Sequence, residues 1–301
     1  MANPYYRDYA DFLSGYFPRK MQKLAVNARL SCPNRDGTIG HGGCIYCNNR
    51  SFSPSYTCGA DGVTAQLDKG MRFFSRKYPD MGYLAYFQSY TNTHSSRDEL
   101  LSLYDEALSV EGIGGLVIGT RPDCVSRPLL EEVALRHRHR WAMMEYGAET
   151  ACDATLSLIN RGHTWQSVVD AVNLTAELGI PVGLHFIMGL PGEDYDIMMA
   201  TVDAVNRLPV DVVKFHQLQV VTGTPLARMV EEEQLAVRHF SVDEYVELCC
   251  DIVRRLRPDI AIDRFVSQSP GDMLISPRWG LKNYQFTNLL HARLKIIGTE
   301  V

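Results

Sequence analysis

The chain has 301 residues, of which 46% are hydrophobic and 22% charged, and its 30 Lys plus Arg against 35 Asp plus Glu give a net charge of -5. This balance is ordinary for a globular protein and argues against a surface that coats nucleic acid, though not against a local basic patch. The Met1-Ala2-Asn3-Pro4 start has no apolar signal core and no stretch reaches membrane-span length, so a cytoplasmic protein with reduced thiols is expected.

A β-rich run at residues 23–30 leads into a Gly-, Asn- and Asp-rich stretch, residues 30–53, that reads as a loop without regular helix or strand. A helix is expected over 64–78, a second strand over 83–88, and a helix from the capping box Ser96-x-x-Glu99 to Leu108. Residues 115–118 read as a third strand, with Ser126 and Pro128 starting the next helix. A fourth strand over 141–146 precedes a helix over 164–177 that Gly179 ends. Residues 182–188 form a fifth strand, 193–206 its helix and 212–218 a sixth strand. Ser241-x-x-Glu244 opens another capped helix to about Leu256, ahead of an extra strand over 261–266 and a last helix over 286–297. Six strand–helix units, at about 25 to 40 residues each, imply a parallel sheet with right-handed crossovers. Two more units would be needed for a complete eight-fold barrel, and in such barrels the chemistry sits at the C-terminal strand ends.

Within the loop, Cys32, Cys44 and Cys47 stand as C-x11-C-x2-C, with Gly42-Gly43 before the close pair and Tyr46 just before the last cysteine. Three thiolates on one loop suit a 4Fe–4S cluster with one iron left open. They also suit structural zinc with His41 as the fourth ligand, whereas a disulfide would leave an odd thiol. Cys58, Cys152, Cys249 and Cys250 lack ligand spacing, and adjacent positions on a helix diverge by about 100°.

The C-x-aromatic-C half of this motif resembles the radical S-adenosylmethionine (SAM) superfamily, whose commonest spacing is C-x3-C-x2-C. The longer first gap, followed by Gly119-Thr120-Arg121-Pro122-Asp123, Arg161-Gly162-His163 and Gly189-Leu190-Pro191-Gly192-Glu193, is similar to the catalytic subunit of Elongator and its relatives. The run Cys32-Pro33-Asn34-Arg35-Asp36-Gly37 and Tyr90-Thr91-Asn92 resemble the YhcC/YtqA-like group most. The resemblance implies an α/β fold, a partial (βα)6 TIM-like barrel of the radical SAM type with short N- and C-terminal extensions. It would be a single domain, with the barrel over residues 20–240 and an extension over 241–301. It further implies that Cys32, Cys44 and Cys47 hold a 4Fe–4S cluster, and that SAM, bound at the open iron, is cleaved to a 5′-deoxyadenosyl radical. An electron donor such as flavodoxin or ferredoxin is implied, and a tRNA wobble uridine as substrate, its carboxymethylaminomethyl group remodelled to aminomethyl. No RNA-binding module is recognisable. A small-molecule substrate and a non-catalytic Cys3His zinc adaptor are the alternatives.

On the same resemblance, Tyr46 lies against the adenine, and Gln88 and Tyr90 meet the methionyl amine of SAM. Glu145 suits the ribose hydroxyls or the ammonium; Arg161 suits the SAM carboxylate or pairs with Glu145. His185 and Met188 precede a Gly-rich turn at a SAM-binding edge, and Lys214 stands near SAM on the sixth strand. Arg121 is a fork for a substrate anion or a partner of Asp123, and Cys124 a hydrogen donor or a packed thiol. The basic run Arg136-His137-Arg138-His139-Arg140 is a solvated helix end or an RNA contact.

Overall fold

The computed structural model describes residues 3–57 and 61–299, so Cys58 lies outside the described residues. The chain opens with α1 (Tyr9–Ser14), β1 (Met21–Val26), the single turn α2 (Pro33–Asp36), α3 (Val63–Ser75), β2 (Gly82–Phe87) and α4 (Arg97–Ser109). It continues with β3 (Ile113–Thr120), α5 (Arg127–His137), β4 (Trp141–Glu149), α6 (Asp153–Leu158), α7 (Trp165–Glu177), β5 (Val182–Met188) and α8 (Tyr195–Val205). The last elements are β6 (Val212–Gln217), β7 (Val220–Val221), α9 (Pro225–Glu231), α10 (Val242–Arg255), β8 (Ala261–Ile262), β9 (Leu274–Ser276) and α11 (Asn283–Thr299).

β1, β2, β3, β4, β5, β6 and β8 form one parallel sheet in that order, the partial barrel expected from six units with a short seventh strand added at the edge. Every pairing within it is parallel, because a helix crosses back between successive strands. The extra strand expected over 261–266 contributes only Ala261–Ile262, but Asp263 N and Arg264 O continue the bonding to β6 through Val213 O and Phe215 N. A two-stranded antiparallel ribbon, β7 with β9, was not foreseen; its strands are too short to carry a periodic signal.

Alternation along the strands sorts side chains into two layers. Leu24, Phe87, Ile118, Met144, Phe186 and Phe215 face outward against the helices in the main core. The opposite face lines the barrel. At its N-terminal end Leu84, Val117, Met143, Val212 and Ala261 meet Phe12 and Leu13 of α1, which plug the opening. Each such buried side chain contributes about 1.5–3 kcal/mol. Asp8 caps α1 by accepting from Asp11 N at 2.8 Å, a signal the short helix hides in the sequence. At the same end, the basic run that spans the last turn of α5 is engaged by the fold: Arg136 forks onto Asp105 at 2.7 Å and Arg140 reaches the Ile113 carbonyl at 3.0 Å.

The two capped helices differ. Ser241 and Glu244 form the full reciprocal box of α10, whereas at α4 only Ser96 caps and Glu99 bonds Ser95 instead. No helix among the described residues is long and apolar enough to cross a membrane.

Candidate active site

The C-terminal ends of the strands open into a cavity of about 200 Å³. Its floor is a buried charge cluster. Lys23 of β1 lies 2.9 Å from both Glu145 of β4 and Asp263, which follows β8. Lys214 of β6 bonds Glu145 and stands 3.7 Å from Asp263, and the Tyr86 hydroxyl of β2 donates to Glu145. These contacts join the two edges of the curled sheet, β1 and β8, which share no backbone ladder. Burial opposes the charge on Lys23, but Asp263 and Glu145 outweigh it and hold its pKa well above the usual lysine range. Burial likewise works against Glu145, yet Lys214 and Lys23 keep it ionised far below the usual carboxylate range. Burial pushes Lys214 down to about 8.

Above the floor lies the cysteine loop. Pro33 sits at the first position of the one-turn helix α2, so the loop is not wholly irregular as expected. The chain then folds back on itself: Ile39 N and Gly40 N donate to Pro33 O, and Gly43 N to Asn34 O at 2.8 Å. Gly42 and Gly43 have φ of +79° and +76°, two successive left-handed residues that only glycine adopts without strain. The result brings Cys32, Cys44 and Cys47 together with Tyr46 on one cavity wall. N–H groups approach the sulfurs: Arg161 Nη1 at 3.6 Å and Asn34 Nδ2 at 3.8 Å from Cys44, and Asn49 Nδ2 at 3.9 Å from Cys47. Burial and the neighbouring Cys44 push the Cys47 thiol up to about 11, so a thiolate there calls for a cationic centre.

The rim carries Gln88, Tyr90, Arg121, Glu149, Arg161 and His185. Arg161 does not pair with Glu145, which lies four residues and about 13 Å deeper along β4. It pairs with Glu149 at 3.4 Å and donates to Gly147 O at 2.6 Å. A Cβ at Gly147 would stand 2.7 Å from Arg161 Nη2, so a glycine is required for this approach. Glu149 occupies a β-bulge with φ +67°, strained backbone for a side-chain-bearing residue, and burial raises its pKa. Five buried side-chain atoms of the lining residues have no partner: Thr91 Oγ1, Glu149 Oε2, Arg161 Nε, His185 Nε2 and Arg264 Nε. Orphaned atoms of this kind are costly unless a ligand completes them.

Most sequence-predicted residues meet at this cavity: Cys32, Cys44, Cys47, Tyr46, Gln88, Tyr90, Arg121, Glu145, Arg161, His185 and Lys214. Two do not. Met188 is three residues from His185 on the same strand, so it faces the opposite way and packs in the outer core. Cys124 lies off the cavity, 3.6 Å from Asp123, with burial pushing its pKa up to about 12. Arg121 reaches the cavity, but both arms of its fork hold Asp123, at 2.9 and 2.8 Å, and its Nη1 donates to Arg161 O. Lys23, Tyr86, Asp263, Arg264 and Gln219 escaped the sequence reading. Lys23 sharing a face of β1 with apolar Met21 and Ala25 was the available signal for the first; the rest depend on the curl of the sheet.

The donor set fits a 4Fe–4S cluster. Among the described residues no three His, Cys, Asp or Glu side chains are close enough to hold a single metal ion. Thiolates that each bind a different iron stand farther apart than ligands of one zinc. His41 is exposed, its ring over Gly37, and does not line the cavity.

The sequence profile of the Radical SAM superfamily matches residues 36–205, and that of the Radical SAM C-terminal domain matches residues 210–296. YtqA of Bacillus subtilis (strain 168) is 32% identical over 287 residues, covering 95% of this chain and 88% of its own length. A tRNA uridine(34) acetyltransferase of Methanocaldococcus jannaschii is 28% identical over 117 residues, 38% of this chain and 21% of that protein. The solved structure of archaeal Methanocaldococcus infernus Elp3, with N-terminal residues deleted, superposes with a TM-score of 0.67 at 15% identity, over 93% of this chain and 64% of that one. At such identity the likeness speaks for the fold.

Proposed function

The chain belongs to the radical SAM superfamily, whose cofactors are a 4Fe–4S cluster and SAM, and we propose that it modifies the C5 side chain of a tRNA wobble uridine. A 4Fe–4S cluster held by Cys32, Cys44 and Cys47 would supply one-electron reductive cleavage of SAM, and with it the means of removing a hydrogen atom from the substrate. The observation that carries the reading is the coincidence, around one cavity, of three cysteines and buried polar atoms without partners. Cys32, Cys44 and Cys47 are assigned as the cluster ligands. Arg161, in contact with Cys44, steadies the thiolate and, with Glu149, offers unpaired donor and acceptor atoms to the polar groups of SAM. Tyr46 covers the cavity beside the cysteines, where burial keeps its hydroxyl protonated. The floor ion pairs exclude water and set the depth of the site.

The tRNA substrate rests on the resemblance to the Elongator relatives and on the named activity of the uridine acetyltransferases. The implied step converts a carboxymethylaminomethyl group to aminomethyl: the N–CH2 carbon would be oxidised by two electrons, with SAM reduced to methionine and 5′-deoxyadenosine, and water would release the two lost carbons as glyoxylate, while a protein donor such as flavodoxin or ferredoxin would supply the priming electron. The test is anaerobic incubation of reconstituted, reduced protein with SAM and bulk tRNA, read by nucleoside mass spectrometry against Cys44→Ala. The expected result is 5′-deoxyadenosine and an altered wobble nucleoside with the native protein. Cys44→Ala should lose bound iron and both products, more than about 100-fold. SAM cleavage with no change in any nucleoside would remove the tRNA substrate.

A further inference from the structure

Five basic side chains line the cavity: Arg35, Arg121, Arg161, Lys214 and Arg264. Four are spoken for. Arg35 donates to the Cys47 carbonyl at 2.7 Å, Arg121 forks onto Asp123, Arg161 holds Gly147 and Glu149, and Lys214 holds Glu145. Arg264 differs: among the described residues its guanidinium has no carboxylate, carbonyl or hydroxyl partner, and its Nε is shut off from solvent. The backbone that carries it is fixed all the same. Its carbonyl accepts from Phe215 N at 3.0 Å, and Asp263 N before it donates to Val213 O at 2.8 Å, so two successive residues are strapped to β6.

The wall around it is polar and without free negative charge. Ser267 N donates to Gln217 Oε1, Gln219 Nε2 to Ser267 O, and Ser269 Oγ to Gln219 Oε1 at 2.8 Å. The nearby carboxylate, Asp263, is taken by Lys23 and Lys214. His185 and His216, with ring centroids 4.6 Å apart, are held neutral by burial, His216 at about 3. A guanidinium on an anchored stretch of backbone, cut off from water on one edge and lacking an acceptor, is a site awaiting an anion.

We propose that Arg264 is the substrate-side anion anchor, and that the substrate carries a carboxylate or phosphate which the Arg264 fork grips against the Ser267, Ser269 and Gln219 wall. This rests on the proposed function, in which the carboxymethylaminomethyl side chain supplies a carboxylate and the RNA backbone a phosphate. It assigns the two guanidiniums separate duties: Arg161 stands with the cysteines, and Arg264 selects what reacts.

The test uses full-length reconstituted protein with SAM, titrated calorimetrically with 5-carboxymethylaminomethyluridine, its methyl ester and uridine 5′-monophosphate. Arg264→Gln should weaken the acid by about 10-fold or more, and Arg264→Lys, which keeps the charge but not the fork, should restore part of it. The ester should bind the native protein no better than the acid binds the Gln variant. If the monophosphate loses affinity in the variant and the acid and ester bind alike, the anchored anion is the phosphate. SAM affinity should stay within about twofold in both variants. Equal binding of every probe to the native and Gln proteins, or no binding to the native protein, overturns the proposal. So does a drop in SAM affinity, which would give Arg264 to the cofactor. Formation of 5′-deoxyadenosine and the tRNA nucleoside change are read separately, so the proposed function can fail while the anchor stands, and the reverse.

Discussion

The floor and the rim of the cavity are both built from buried charges, and they differ in what those charges have for company. On the floor Lys23, Glu145, Lys214 and Asp263 satisfy one another at no more than 3.7 Å, with Tyr86 closing the set. Around the rim and the wall above the floor, Thr91, Glu149, Arg161, His185 and Arg264 each keep an atom without a partner. A closed cluster contributes cohesion; an open one waits for a ligand. Lys23 and Asp263 therefore clasp the two edges of the sheet, with Glu145 and Lys214 completing the cluster, while Glu149 and Arg161 keep the open atoms that the proposed function gives to SAM.

Breaking the floor should have the largest effect on stability. Glu145→Gln leaves two buried lysines short of a counter-charge and should cost about 3–5 kcal/mol in urea unfolding. Unchanged stability with lost SAM affinity would make Glu145 a rim residue and dissolve the comparison. Next is Glu193, behind the rim, where burial raises the carboxyl to about 7 and Thr150 and Thr155 bond it. Its folded pKa lies above its unfolded one, so the folded state holds the extra proton. Stability from this group is full below about pH 4.5 and is lost as pH rises to about 7, amounting to about 1–3 kcal/mol. Glu193→Gln should flatten that stretch of a melting-temperature profile; a profile as steep as the native one would assign the slope elsewhere. The smallest effect sharpens the rim: Glu149→Gln should weaken SAM binding by about 10-fold while melting within a few degrees of the native protein. A large loss of stability there would mean that the rim, too, is mainly structural.

The strand order was legible because each buried parallel strand is a compact apolar run followed by a helix with its own start signal, as at Ser241-x-x-Glu244. The cysteines were legible because Gly42-Gly43 and Pro33 have meaning only in a tight fold-back. Met188 precedes the Gly-rich turn in sequence but packs in the outer core, because an odd separation from His185 along the strand puts the two on opposite faces. Arg264 carried no local signal: a lone arginine in the strand expected over 261–266 looks like any surface charge until the chain around it is placed.

Local chemistry along the chain thus determined the unit of the fold, the ends of most helices, and the thiols gathered on one loop. Those features depend on residues within a few positions of one another, where backbone preference and spacing decide. Tertiary structure alone decided which charges neutralise each other and which stay open. The partners lie 122 and 240 residues apart for Lys23, and only the curl that carries β8 round to β1 makes them neighbours.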